Sequence, residues 1–224
     1  MGIKEDATIE VTNEGILHQW RSVLRFEPGT KMILLDNSGL EFEAELVALL
    51  SDRAQVLIKR VQTDGPTPKR ELFLFHSVIK KDKLEWVLEK GTEIGISHFR
   101  PLLSERSETK GFDFERARRI IRESSEQCGR SRLPAIYDTI SLEKVLADYN
   151  MPMVAFHPEG KMFKLADVAS AATLGIFIGP EGGWSDGDLE RFKKKGVGLV
   201  SVGPQILRAE TAAIAVASLL LLEY

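Results

Sequence analysis

Among 224 residues there is a single cysteine, Cys128. A lone thiol excludes an internal disulfide framework and any cysteine-only metal cluster within one chain, and no metal ligand set is evident elsewhere. Long hydrophobic runs are also missing. The longest, Ala212 to Leu222 broken only by Ser218, has 11 residues, too few to cross a hydrocarbon layer roughly 30 Å thick. It reads as a buried helix, and no membrane partner is expected. Nothing near the N-terminus has the apolar run of a signal peptide, so the expectation is a cytoplasmic protein. An excess of positive charge is lacking, with a net charge of −3, which by itself disfavours a nucleic-acid partner because backbone binding rests on Lys and Arg neutralising phosphates. Distribution modifies that view. Arg116, Arg118, Arg119, Arg122, Arg130 and Arg132 face only Glu123 and Glu126 within one short stretch, a basic patch suited to RNA.

The elements present are those of a globular α/β chain with ordinary hydrophobic content, 43%. Gly15 to Phe26 reads as an amphipathic helix with Ile16, Leu17, Trp20, Val23 and Leu24 on one side. Lys31 to Leu35 and Ala54 to Val61 read as strands flanking Leu40 to Leu46, where apolar residues alternate with Glu41, Glu43 and Glu45. A small β-barrel-like module over residues 1–66 accounts for these. Thr63-Asp64-Gly65-Pro66-Thr67-Pro68 gathers turn residues as a linker would. From 67 to 224 strands alternate with helices: strand Leu72 to Ile79, helix Asp82 to Ile94, strand His98 to Leu103, helix Phe112 to Cys128, strand Val154 to His157. That order implies a mostly parallel sheet covered on both faces.

Two glycine-rich corners follow. Ile178-Gly179-Pro180-Glu181-Gly182-Gly183 ends the apolar run Thr173 to Ile178, and Val202 to Thr211 ends Gly198 to Val202. Each leads into a helix, the first of them punctuated by a Ser185/Asp188 capping box and by Gly196. In open α/β sheets ligands bind at such strand C-terminal ends. Neither corner is a phosphate cradle. G-x-G-x-x-G and G-K-[ST] are both missing, and Glu181 sets a carboxylate where a pyrophosphate would lie. A neutral or cationic ligand fits better, although tight turns alone would also use these glycines.

The stretches GPEGGWSDGDLE (Gly179 to Glu190), VGPQILRAETAAIA (Val202 to Ala215), SEQCGRSR (Ser125 to Arg132), KKDKLEWVLEKGTEIGI (Lys80 to Ile96) and LLSERS (Leu102 to Ser107) closely resemble the RsmE-type 16S ribosomal RNA uridine-N3 methyltransferases of the SPOUT superfamily. The N-terminal HQWRSVLRFEPGTKM (His18 to Met32) is similar to that family's PUA-like RNA-binding module. Met1 to Asp6 departs from the family in lacking its short arginine-phenylalanine start. The resemblance implies an α/β SPOUT domain over 67–224 with a C-terminal trefoil knot, a PUA-like β-barrel domain over 1–66, a homodimer, and 16S ribosomal RNA or the small subunit as partner.

It further implies S-adenosylmethionine as cofactor, held by Gly179, Glu181, Gly182, Gly183, Gly203, Ile206, Leu207 and Thr211, with His157 either joining them or simply closing its strand. Arg208 is the candidate to stabilise charge on the uracil carbonyls. Binding an RNA phosphate and pairing with Glu210 remain open for it. Glu210 or Glu181 is the candidate proton acceptor. Arg130 and Arg132, just past a helix and without an evident packing role, read as phosphate contacts, as do Arg25 and Arg106. Cys128 shares an apolar arc with Phe114, Ala117 and Ile121 and reads as core, while Arg116, Arg118, Arg119 and Arg122 form the opposite face. Two other classes compete: a non-catalytic RNA-binding or ribosome-assembly factor, and a nucleotide-dependent ligase.

Overall fold

The computed structural model describes residues 3–63, 68–107 and 112–222. The linker expected around 64–67, and Met1 and Gly2 of the atypical start, lie outside the described residues. The chain divides into two compact units, Met1–Pro66 and Thr67–Tyr224.

In the first unit, β1 (Thr8–Val11), β2 (Lys31–Leu35), β3 (Leu40–Leu49) and β4 (Ala54–Thr63) form an antiparallel sheet ordered β1-β4-β3-β2. The alternation along β3 sorts its faces as expected. Phe42, Ala44 and Leu46 enter the core with Ala54, Val56 and Ile58, while Glu43 and Glu45 reach Arg60 and Lys59 on the neighbouring strand. The helix expected over Gly15 to Phe26 is shorter and changes pitch. Capped by Asn13, α1 (Glu14–His18) runs into a π-helical turn, Gln19–Val23. Widening the spacing rotates the wheel, so only Leu17 and Trp20 are buried, and Ile16, Val23 and Leu24 stay exposed.

The second unit is built on β5 (Glu71–Ser77), β6 (His98–Leu103), β7 (Ala135–Ile136), β8 (Ile140–Ser141), β9 (Met153–Met162), β10 (Thr173–Ile178) and β11 (Gly198–Ser201). Their order is β11-β9-β10-β5-β6-β7, with β8 also on β6, and every pairing is parallel. Both faces are buried because these strands are apolar at consecutive positions. Leu72 and Leu74 of β5 and Leu174 and Ile176 of β10 point to one side, where they meet α2 (Lys81–Ile94), α3 (Phe114–Cys128) and α6 (Ala209–Leu221). Phe75 and Phe177 point to the other, toward α4 (Leu142–Asp148) and α5 (Asp186–Lys195). Among the described residues no helix is long and apolar enough to cross a membrane.

Two expectations about α3 change. Ala117, Ile120, Ile121, Ser124 and Ser125 form its buried stripe, and Cys128, at the final turn, is exposed. Cys128 keeps the angular position of that stripe, but the last turn stands beyond the packing that buries the rest of it. On the charged face, Arg116 is bound to Glu85 of α2 at 3.2 Å, whereas Arg119 and Arg122 are exposed.

Candidate active site

Parallel pairing puts the C-terminal ends of β5, β9, β10 and β11 along one edge, so the corners after β10 and β11 open on the same side. Between them lies a cleft of about 290 Å³, walled by Phe156, Ile178, Val202, Ile206 and Leu207 and edged by His157, Gly179, Glu181, Gly183 and Arg208.

The first corner is a packed turn. Gly183 N–H donates to the Pro180 carbonyl at 2.8 Å, and the left-handed φ of 67° at Gly183 is a conformation that glycine adopts without strain. The buried Trp184 indole donates to the Phe156 carbonyl at 3.0 Å. Its ring lies under Gly179, where a β-carbon would stand 3.1 Å from the ring and force a shift. The capping box is formed: Ser185 Oγ accepts from Asp188 N–H at 3.0 Å, and Asp188 Oδ2 accepts from Ser185 N–H at 3.3 Å. Arg106, arriving from the loop after β6, donates through Nη1 to the Gly182 carbonyl at 2.9 Å.

The second corner has fewer internal ties. Ser201 Oγ donates to the Gly203 carbonyl at 2.9 Å. Ile206 is 82% exposed although it edges an apolar cleft. Arg208 stands at the N-cap of α6 without a side-chain capping bond.

An ammonium joins the two corners. Lys83 Nζ, in the first turn of α2, is 3.3 Å from Glu181 Oε1 and 3.6 Å from Glu210 Oε1. Next to this cluster His76 is fully buried at the end of β5. Burial holds its imidazole below the usual histidine range, against the opposing pull of the Ser77 and Ala209 backbone and of Glu181 and Glu210.

Of the residues singled out from sequence, His157, Gly179, Glu181, Gly183, Ile206, Leu207 and Arg208 surround the cleft. Gly182, Gly203 and Thr211 belong to the same corners without forming its wall. Glu210 also stands off the wall and is taken up by Lys83, so its pairing with Arg208 does not occur. Arg130 has the packing role that sequence did not reveal: its Nη1 donates to the Thr92 and Ile96 carbonyls at 3.1 and 2.8 Å, closing the end of α2. Arg106 likewise serves the first corner. Arg25 and Arg132 are exposed, without ion pairs among the described residues. Lys83, Trp184 and Phe156 were not anticipated, although Lys83 and Trp184 fall inside stretches that carried the resemblance.

The pattern of the RNA methyltransferase domain family matches residues 66–221. Ribosomal RNA small subunit methyltransferase E of Bacillus subtilis is 29% identical over 226 residues, spanning 94% of this chain and 88% of that protein. The protein of the same name from Synechocystis is 32% identical over 224 residues, spanning 92% of this chain and 70% of that protein. A solved structure of ribosomal RNA small subunit methyltransferase E from Neisseria gonorrhoeae, bound to S-adenosyl methionine, matches with a TM-score of 0.88 at 25% identity, over 98% of this chain and 93% of that one. With its parallel sheet, its two corners opening on one edge, and relatives that align over more than nine-tenths of its length, the chain belongs to the RsmE-type ribosomal RNA methyltransferases of the SPOUT superfamily.

Proposed function

We propose that this chain transfers the methyl group of S-adenosylmethionine to N3 of a uridine in 16S ribosomal RNA, with the cofactor held between the two corners. The observation that carries the reading is the cleft itself. Its apolar walls suit an adenine, the glycine backbone at 183, with open space where a side chain would stand, permits close approach of a flat group, and Glu181 supplies negative charge for a cationic sulfonium. The volume lies near the lower end of small-molecule sites, roughly 300–1,000 Å³. Gly182, Gly203 and Thr211 support this site by shaping the corners, and His157 closes its β9 side.

When bound, S-adenosylmethionine supplies an electrophilic methyl group. The chain's part is to hold the uracil in line and to manage charge as N3–H loses its proton. Arg208 has no ion pair among the described residues and edges the cleft, so its guanidinium is available to the uracil carbonyl oxygens as charge spreads onto them. Glu181, on the cleft wall, is the better placed of the two carboxylates to accept the proton; Glu210 acts behind it.

RNA is bound through Arg25 in a PUA-like β-barrel domain over 1–66 and through Arg132 beside α3. Arg106 and Arg130 add to the basic surface of the second unit and also fix the first corner and the end of α2. The C-terminal part of 67–224 is threaded as a trefoil knot, a topology consistent with β11 lying outside β9 while α6 returns to pack on α2. Exposed Trp86 on α2 and Leu219 near the end of α6 favour a homodimer. The partner is 16S ribosomal RNA or the small ribosomal subunit, in the cytoplasm.

The test is incubation of the purified protein with S-adenosylmethionine and either 16S RNA or small subunits, followed by nucleoside mass spectrometry. 3-Methyluridine is expected, with at least about a hundredfold lower rate for Arg208→Ala. Cofactor binding without methyl transfer to either substrate would replace the enzyme by an RNA-binding assembly factor.

A further inference from the structure

We infer that Lys83 is a positioning residue which sets the spacing of the two corners and thereby the shape of the cofactor cleft; this rests on the proposed methyltransferase reading. The first turn of α2 begins where β5 ends, and β5 is the neighbour of β10. That places Lys83 beside both corners. Its Nζ donates to Glu181 of the first corner at 3.3 Å and forms an ion pair at 3.6 Å with Glu210, in the first turn of α6 directly after the second. An ammonium suits this geometry because a compact point charge can pair with two carboxylates at once.

The surroundings make the bridge matter. The Glu210 side chain is only 13% exposed and that of Lys83 24%, and Glu210 Oε2 is buried without a hydrogen-bond partner among the described residues. Without Lys83 two carboxylates would confront each other across the corners, one of them nearly buried, and a buried charge stripped of its partner is strongly unfavourable. The corners would relieve that by moving apart. Other ties do not replace the bridge. Arg106 and Trp184 secure the first corner, and Ser201 binds within the second, but Lys83 alone among the described residues forms ion pairs with both.

The test combines calorimetric titration with S-adenosylmethionine and with its demethylated product, steady-state kinetics, and thermal melting of Lys83→Met, Lys83→Arg, Glu181→Gln/Glu210→Gln, and the triple variant. Lys83→Met should weaken both ligands about tenfold, an ordinary coupling between groups in contact, and raise KM for S-adenosylmethionine by more than it lowers kcat. Lys83→Arg should recover most of the affinity. Once both carboxylates are neutral, adding Lys83→Met should change binding by less than about twofold. If Lys83→Met unfolds, Lys83→Arg and the triple variant, in which no charge is stranded, carry the comparison. Wild-type affinity in Lys83→Met, tighter S-adenosylmethionine binding in it, or an undiminished loss in the carboxylate-free background would overturn the inference while wild-type binding leaves the methyltransferase reading standing. Failure of the wild type to bind either ligand would overturn both.

Discussion

The two corners do the same topological job with different construction. The first is fastened from three directions: the Trp184 ring lies beneath it, Arg106 holds its carbonyls, and the Ser185/Asp188 box fixes the helix it opens. The second has a serine bond at its start, its end of the shared lysine bridge, and Ile206 and Leu207 exposed along the cleft between them. One is preorganised by packing, which lowers the cost of ordering on binding. The other leaves apolar surface exposed at the cleft and has less packing behind its order.

The largest effect should come from breaking the first corner's foundation. Trp184→Ala removes a ring that is 4% exposed and also the donor to Phe156. A change of that type costs about 3–5 kcal/mol. Denaturant titration should show a loss of that size, and cofactor binding should disappear even in the fraction that stays folded. A Trp184→Ala protein that kept wild-type affinity would show that the first corner does not need its packing.

A smaller effect, with a defined pH window, should come from His76 beneath the second corner. Its folded-state pKa is held below the ordinary 6.5, so the unfolded chain takes up a proton that the native state resists. Stability from this source is therefore complete above about 6.5 and is lost as the pH falls from there toward the folded-state pKa, at up to about 1.4 kcal/mol per pH unit. Denaturant midpoints at pH 7.5 and 5.5 should differ in the wild type, and His76→Asn should flatten that difference. Equal slopes in the two proteins would place the acid sensitivity elsewhere.

The contrast between the corners also marks what sequence conveys. The turns, the capping box and the sheet that orders them were legible because they are local. Consecutive apolar positions in Thr173 to Ile178, then glycines, then Ser185 and Asp188 three apart, are each read within one short window. Lys83 was not legible, since it meets Glu181 across 98 positions and no periodicity reports such a pair. The packing role of Arg130 was hidden for the same reason: its acceptors, Thr92 and Ile96, belong to another helix end. Short elements escaped too. β7 and β8 have 2 residues each and α4 has 7, lengths at which pattern gives little signal, and Thr8–Val11 is an edge strand without a buried residue. Cys128 shows the cost of extending a helical wheel to the last turn.

The smallest effect on stability, and the sharpest test of the second corner, should come from Ile206→Ser. The side chain is 82% exposed, and surface substitutions of that kind stay within about ±0.5 kcal/mol, so the denaturant midpoint should not move. Yet Ile206 edges the cleft. If the second corner closes over the adenine or the sulfonium, the isoleucine side chain is buried only in the complex, and its burial is worth about 1.5–3 kcal/mol. Calorimetry should then show S-adenosylmethionine affinity falling by about ten- to a hundredfold while the melting curve of the free protein overlays the wild type. Unchanged affinity would mean that the second corner, like the first, is already in its binding conformation, and that the exposure of Ile206 belongs to contact with RNA or with a second subunit.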